Sequence, residues 1–292
     1  MFCMRNHMKK IFFAFIMIIS AFALTVSCTS SPVSQPVRED KQVQSDTKPP
    51  ELRVTFSPQY FSPDGDREEL AIYLFAIDDS PIRNWKVEIH EPQPPYQLFY
   101  HWEGQGAPPD VIMWNGKSFN GELVQSASDY PFVFSASDIH GNTGRIESLI
   151  EVDVIVIREG ANLRIQIPSI VFKSNSGTWD DLDPDIVDNN IWILKRVTQI
   201  LVKFSDYKIW IEGHANHTVD PGDRARHQRE QTLELQPLSE LRAKRILDEL
   251  VMLGIDPKRL SSYGLGGAQP IVSWEDTDNW WKNRRVEFIL IK

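Results

Sequence analysis

The sequence predicts two folded parts of different class. Residues 51–157 read as an all-β antiparallel sandwich, and residues 160–292 as an α+β domain with helices on one face of a sheet. Three observations predict this. The composition, 41% hydrophobic and 24% charged over 292 residues, is that of a globular protein. Short apolar runs separated by turn signals recur up to residue 157. Beyond residue 160 the pattern changes to strands alternating with helical periods.

The elements follow in chain order. Arg5, Lys9 and Lys10 precede an apolar run from Ile11 to Leu24. That run is short for a membrane span, which needs ~20 residues, and has the proportions of a secretory signal. Leu24-Thr25-Val26-Ser27-Cys28 then resembles a bacterial lipobox. The resemblance implies cleavage of residues 1–27 and lipidation of Cys28, whose acyl chains contribute roughly 0.8 kcal/mol per buried methylene. Cleavage removes three basic residues and no acid, leaving 28 basic against 40 acidic residues, net −12. Membrane attachment is thus expected from the lipid alone. The acidic balance also argues against nucleic acid as a partner. Cys3 and Cys28 are the only cysteines, so no disulfide framework or cysteine zinc site exists in the body of the protein. Residues 28–50 read as a disordered tether: Ser, Pro, Gln, Lys and Asp dominate, and Val33, Val37 and Val43 are the only aliphatics after Cys28. Such a chain reaches about 26 Å.

In residues 51–157 the apolar runs are Leu70 to Ile77, Trp85 to Ile89, Tyr96 to Trp102, Tyr130 to Ala136 and Val152 to Ile157. Gly, Pro and Asn turns separate them, as in antiparallel sandwiches. Phe61-Ser62-Pro63-Asp64-Gly65-Asp66, Trp114-Asn115-Gly116-Lys117, Asn120-Gly121, Tyr130 and Asp138-Ile139-His140-Gly141-Asn142 together resemble the Ig-like domains of the flagellar hook-capping protein and of bacterial surface proteins. That resemblance implies a spacer or a module for a periplasmic protein partner. Asp64, Asp66, Glu68 and Glu69 open like a calcium loop but lack the later EF-hand positions, so a turn with solvated acids is expected.

In residues 160–292, Leu163 to Phe172 is a strand candidate. Asp183-Pro184 is a helix-start pair, followed by Val187, Ile191, Leu194, Val197, Leu201 and Phe204 at steps of three and four. Tyr207 to Glu212 is a strand. Ser239 is a candidate cap for a second helix, with buried stripe Ala243, Ile246, Leu247, Leu250 and Val251 and a Gly254 stop. Arg259 to Tyr263 and Arg285 to Ile291 complete the sheet. On this reading Arg242 sits in the first turn of the second helix, where a cation opposes the helix dipole. A bound carboxylate would explain it, and so would a nearby acid such as Glu234 or Glu240.

Ile211-Glu212-Gly213-His214, Leu238-Ser239-Glu240-Leu241-Arg242-Ala243, Leu253-Gly254-Ile255-Asp256, Gly264-Leu265-Gly266, Gln269-Pro270-Ile271 and Lys282-Asn283-Arg284-Arg285-Val286-Glu287 resemble the OmpA-like peptidoglycan-associated domain family. The resemblance implies non-covalent binding to the peptidoglycan peptide stem, linking outer membrane to cell wall. An Asp in a Gly-His-Thr-Asp motif takes the stem's ammonium, and the Arg carried by Arg242 takes its carboxylate. Here Ala215 and Asn216 replace Thr and Asp, Leu235 replaces an Asn, and residues 220–229 form an insertion. A neutral Asn216 forfeits a charge-assisted bond, which weakens binding by about tenfold. Asp220 or Asp223 is a candidate replacement. The peptidoglycan-binding set is therefore His214, Ala215, Asn216, Arg242, Arg284 and Arg285, with Trp280 and Trp281 expected at the core edge.

His214, His217 and His227 with Asp220 and Asp223 give only a weak metal signal, without the His-Glu-x-x-His arrangement. No serine elbow, Walker loop or nucleotide fingerprint appears. The sequence thus predicts a binding protein without catalysis, cofactor or metal centre, lipid-anchored on the periplasmic face of the outer membrane, with the inner membrane as the other destination. The alternative is a periplasmic protein-interaction scaffold of the same fold with a degenerate peptidoglycan site.

Overall fold

A computed structural model describes residues 46–63 and 69–292. The expected leader, Cys28, the tether up to residue 45, and Asp64, Asp66 and Glu68 lie outside the described residues. Among the described residues no helix is long and apolar enough to cross a membrane.

The N-terminal part is built of strands: β1 Glu51–Ser57, β2 Tyr60–Phe61, β3 Leu70–Ile77, β4 Ile82–His90, β5 Leu98–Gln105, β6 Val111–Trp114, β7 Asp129–Asp138 and β8 Thr143–Val152. They form two sheets, β1-β3-β6 and β2-β8-β7-β4-β5. Alternate residues of both sheets, among them Leu70, Ile72, Val87, Ile89, Phe132 and Phe134, enclose one core. The Asp138–Asn142 turn is fixed by the Asp138 carboxylate, which accepts from the backbone of His140 and Asn142 at 2.8 and 2.9 Å and from Asn142 Nδ2 at 2.7 Å.

The C-terminal part adds β9 Ile157–Glu159, β10 Asn162–Ile167, α1 Pro184–Lys203, β11 Lys208–His214, α2 Arg224–Glu230, α3 Gln236–Met252, β12 Leu260–Gly266, α4 Trp280–Asn283 and β13 Val286–Ile291. The apolar run Val152 to Ile157 is thus not one strand: Val152 ends β8, and Ile157 opens a strand of the next sheet. That sheet has the order β12-β11-β13-β10-β9, with β11 and β12 parallel. Its inward residues Ile165, Ile167, Ile209, Ile211, Phe288 and Leu290 meet Ile193, Leu194, Val197 and Leu201 of α1 and Ala243, Ile246 and Leu250 of α3. On the opposite face Trp210 and Tyr263 stay exposed. Asp183 caps α1, accepting from Asp185 N at 2.9 Å. The Arg259 guanidinium closes its other end on the carbonyls of Phe204 at 2.7 Å and Leu201 at 3.1 Å.

The second helix does not start at Ser239. α2 runs through a π-helical turn, Gln231–Leu235, directly into α3. The wide turn accommodates Pro237, which has no N–H to donate. Ser239 therefore lies inside the helical run, and Arg242 does not stand at a free helix N-terminus.

The two parts are joined by polar contacts, the Lys282–Glu91 pair among them buried. Lys282, only 2% exposed, binds Glu91 at 2.8 Å and Glu122 at 2.7 Å. Arg196 of α1 pairs with Asp153, and Gln97 Nε2 donates to Asp278 at 2.8 Å. Ala127 and Val154 join the core of the C-terminal part. Removing the cation would leave Glu91, whose carboxyl burial already pushes up, without its partner. Lys282→Ala is therefore expected to cost about 3–5 kcal/mol in a denaturant titration.

Candidate functional site: an arginine-lined cavity

The site begins with two glycines. A Cβ on Gly213 of β11 would lie 2.2 Å from Ser239 O, and one on Gly264 of β12 would lie 2.3 Å from Glu240 N. Their bare backbones let α3 lie directly on the strand ends. Ser239 Oγ fixes the contact, accepting from Gly266 N at 2.8 Å and donating to Gln236 O at 2.9 Å. Arg242 follows three residues later and reaches over the segment between β10 and α1. Its Nε donates to Ser176 O at 3.0 Å, and its guanidinium lies 5.1 Å from the Phe172 ring centroid. Among the described residues no carboxylate pairs with Arg242. Burial, and then the charge of Arg284, lower its affinity for a proton, the electrostatic mark of a cation held without a counter-charge.

Arg242 walls a cavity of about 270 Å³ together with Phe172, His214, Arg284, Arg285 and Gln93, among others. Arg284 is exposed. Arg285 is buried: its Nε donates to Glu287 at 2.6 Å and its Nη2 to Gln269 O at 3.2 Å, while Nη1 has no partner. His214 is 2% exposed, and both its ring nitrogens lack a hydrogen-bond partner. Burial, then Arg285 and Arg164, push its pKa down to about 3, so the ring is neutral.

Ala215 and Asn216 do not share this cavity. They line another, of about 430 Å³, with His217, His227, Trp274 and Asn283. The expectation that Asn216 faces a ligand ammonium beside Arg242 is corrected accordingly. Asn216 Oδ1 accepts from Asn283 Nδ2 at 2.7 Å, and its Nδ2 donates to His217 O at 2.6 Å. The amide thus braces the loop after β11. The insertion borders this second cavity and not the arginine one. Asp220 accepts from Gly222 N and Asp223 caps α2, so both carboxylates serve local turns. Trp281 is buried beside the arginine cavity.

Glu212, His214 and Glu287 offer ligand atoms close together. The Glu287 carboxylate, however, is already met by Arg285 and, at 3.4 Å, by Arg164. The cluster is a balanced ion network, and a divalent cation would have to displace two guanidinium groups. His217 Nδ1 bonds Glu230 at 2.8 Å and stacks on His227 at 3.6 Å. Glu230 also accepts from Thr218 N, Thr218 Oγ1 and Val219 N, at 3.0, 2.6 and 3.2 Å. Against its burial, these donors hold its carboxyl at about 2. Gln93 was not legible as a site residue, because it comes from the β4–β5 connection, more than a hundred residues before Arg242.

The one-sided sheet thus carries a cavity lined by three arginines at its strand ends. Residues 183–284 match the OmpA family, and this part of the chain is an OmpA family domain. The chain is 33% identical over 98 residues to the peptidoglycan-binding protein ArfA of Mycobacterium tuberculosis, covering 34% of this chain and 27% of that protein. It is 28% identical over 138 residues to the probable lipoprotein YiaD of Escherichia coli, covering 47% of this chain and 55% of that one. The chain thus spans between about a quarter and about half the length of these relatives. Among solved structures, the periplasmic domain of Helicobacter pylori MotB is similar at 19% identity and a TM-score of 0.38, over 47% of this chain and 78% of that one.

Two outcomes follow. His214 should stay neutral in the folded protein down to about pH 3, while the unfolded chain protonates it near pH 6.5. Its contribution to stability is therefore complete above about pH 6.5 and declines as the pH falls toward 3. His214→Gln should flatten the stability profile between about pH 6.5 and 4.5, read by thermal melts. Glu230→Ala strands the donors of Thr218 and Val219 and should cost about 3 kcal/mol in chemical denaturation.

Proposed function

We propose that the protein is a lipid-anchored envelope protein that binds peptidoglycan non-covalently through its OmpA family domain. The lipid on Cys28 holds it to the outer membrane, and the Ig-like N-terminal part acts as spacer and protein-interaction module. The observation that carries this reading is the Arg242 guanidinium, turned to a cavity with no carboxylate of its own to neutralise it. A guanidinium so placed favours a planar carboxylate, such as a peptide stem presents. Arg284 adds positive potential at the mouth. Neutral His214 and the free Nη1 of Arg285 add polar groups to the wall. The naming of ArfA as peptidoglycan-binding and of YiaD as a lipoprotein supports the same reading.

One observation favours the second reading, a scaffold of the same fold without wall affinity. Asn216 is neutral, engaged with Asn283, and absent from the arginine cavity. Co-sedimentation of the full-length protein with purified sacculi separates the two. The wild type should pellet, and Arg242→Ala should lose at least tenfold in affinity, the worth of a charge-assisted bond. A wild-type protein that stays in the supernatant would overturn the wall-binding reading.

A further inference from the structure

The arginine cavity does not end within the C-terminal part. Gln93, Ser169 and Val171 line it and also line a neighbouring cavity of about 450 Å³, so the two adjoin along the junction of the folded parts. The far section is walled by Tyr60 and Trp192, whose rings lie 6.4 Å apart, and by Asp129 and Glu151. These acids stand directly opposite each other in the β7–β8 pairing. Like charges in that position destabilise a sheet. Among the described residues neither makes a salt bridge, and Glu151 Oε2 is buried without any partner. Desolvation, then the Glu151 charge, push the Asp129 carboxyl above the usual carboxylate range. At the other end, His214 and Arg285 are more than nine-tenths buried and carry nitrogens without partners. The groove therefore has two carboxylates without a cation at one end, one of their oxygens buried and unpartnered, and buried nitrogens of His214 and Arg285 without partners at the other.

We propose that the N-terminal part completes the binding site and that the ligand is zwitterionic, with its carboxylate at Arg242 and Arg284 and its ammonium at Asp129 and Glu151. The aliphatic stretch between the charges lies along Val171 and the Tyr60–Trp192 pair. This rests on the peptidoglycan reading and deepens it. The negative charge that Asn216 lacks is supplied across the junction, and the ligand spans two folded parts.

The test uses the full-length protein and two small probes, 2,6-diaminopimelate and pimelate, which share both carboxylates and differ in the amino groups. Calorimetry of the Asp129→Asn/Glu151→Gln double variant should show about tenfold weaker diaminopimelate binding and pimelate binding that is unweakened or tighter. Arg242→Ala should weaken both. The double variant breaks no salt bridge and relieves a repulsion, so its melting temperature should hold or rise. Equal binding of diaminopimelate by wild type and double variant overturns the proposal, as does an equal loss on both probes. A wild-type protein that pellets with sacculi but binds neither probe overturns the groove and leaves wall binding standing. A double variant that discriminates the probes, in a protein that ignores sacculi, upholds the groove and overturns the wall reading.

Discussion

Everything at the site depends on how closely α3 lies against the sheet at Gly213 and Gly264. With backbone atoms of the helix little more than 2 Å from where a side chain would begin, no other residue fits at either position without moving the helix. The contact does more than pack Ala243 and Ile246 into the core. It sets the height at which Arg242 leaves the helix, and so the distance from its guanidinium to the carbonyl of Ser176 and the ring of Phe172. His214, next to Gly213 on β11, is left only 2% exposed at the cavity wall.

The chain as a whole is acidic, with a formal charge of −9. Its cations are nevertheless sorted. Arg285 and Arg164 are held by Glu287, and Lys282 by Glu91 and Glu122. Among the described residues Arg242 and Arg284 pair with no acid. Keeping two guanidinium groups together in a partly dry cavity costs folding energy through repulsion and desolvation. Spare positive charge in an otherwise acidic protein is the physical content of the proposed anion site.

Local sequence made some of this visible. The Asp183-Pro184 pair marks the start of α1 because capping and a pre-set φ act within three residues. The apolar run Tyr130 to Ala136 marks β7 for a similarly local reason, and the run from Leu163 marks β10, which ends at Ile167, short of the expected Phe172. The helix around Ser239 was misread because a serine before an apolar stripe looks the same whether it caps a helix or bonds to a neighbouring strand. Only the fold reveals that Gly266 N reaches it. Asn216 was placed beside Arg242 through resemblance to a family motif, and its bond to Asn283, 67 residues away, has no sequence signature. Gln93, Glu91 and Glu122 were invisible for the same reason. Their roles arise where two separately readable parts meet.

Ala127 and Val154 come from the first part of the chain yet sit within the apolar interior of the second. Cutting the polypeptide near residue 160 would not release two finished pieces. The C-terminal fragment would carry an oily scar where those side chains had been and a lysine stripped of both its acids, two invitations to aggregate. The smallest unit that hides its own seams runs from the first strand to the last.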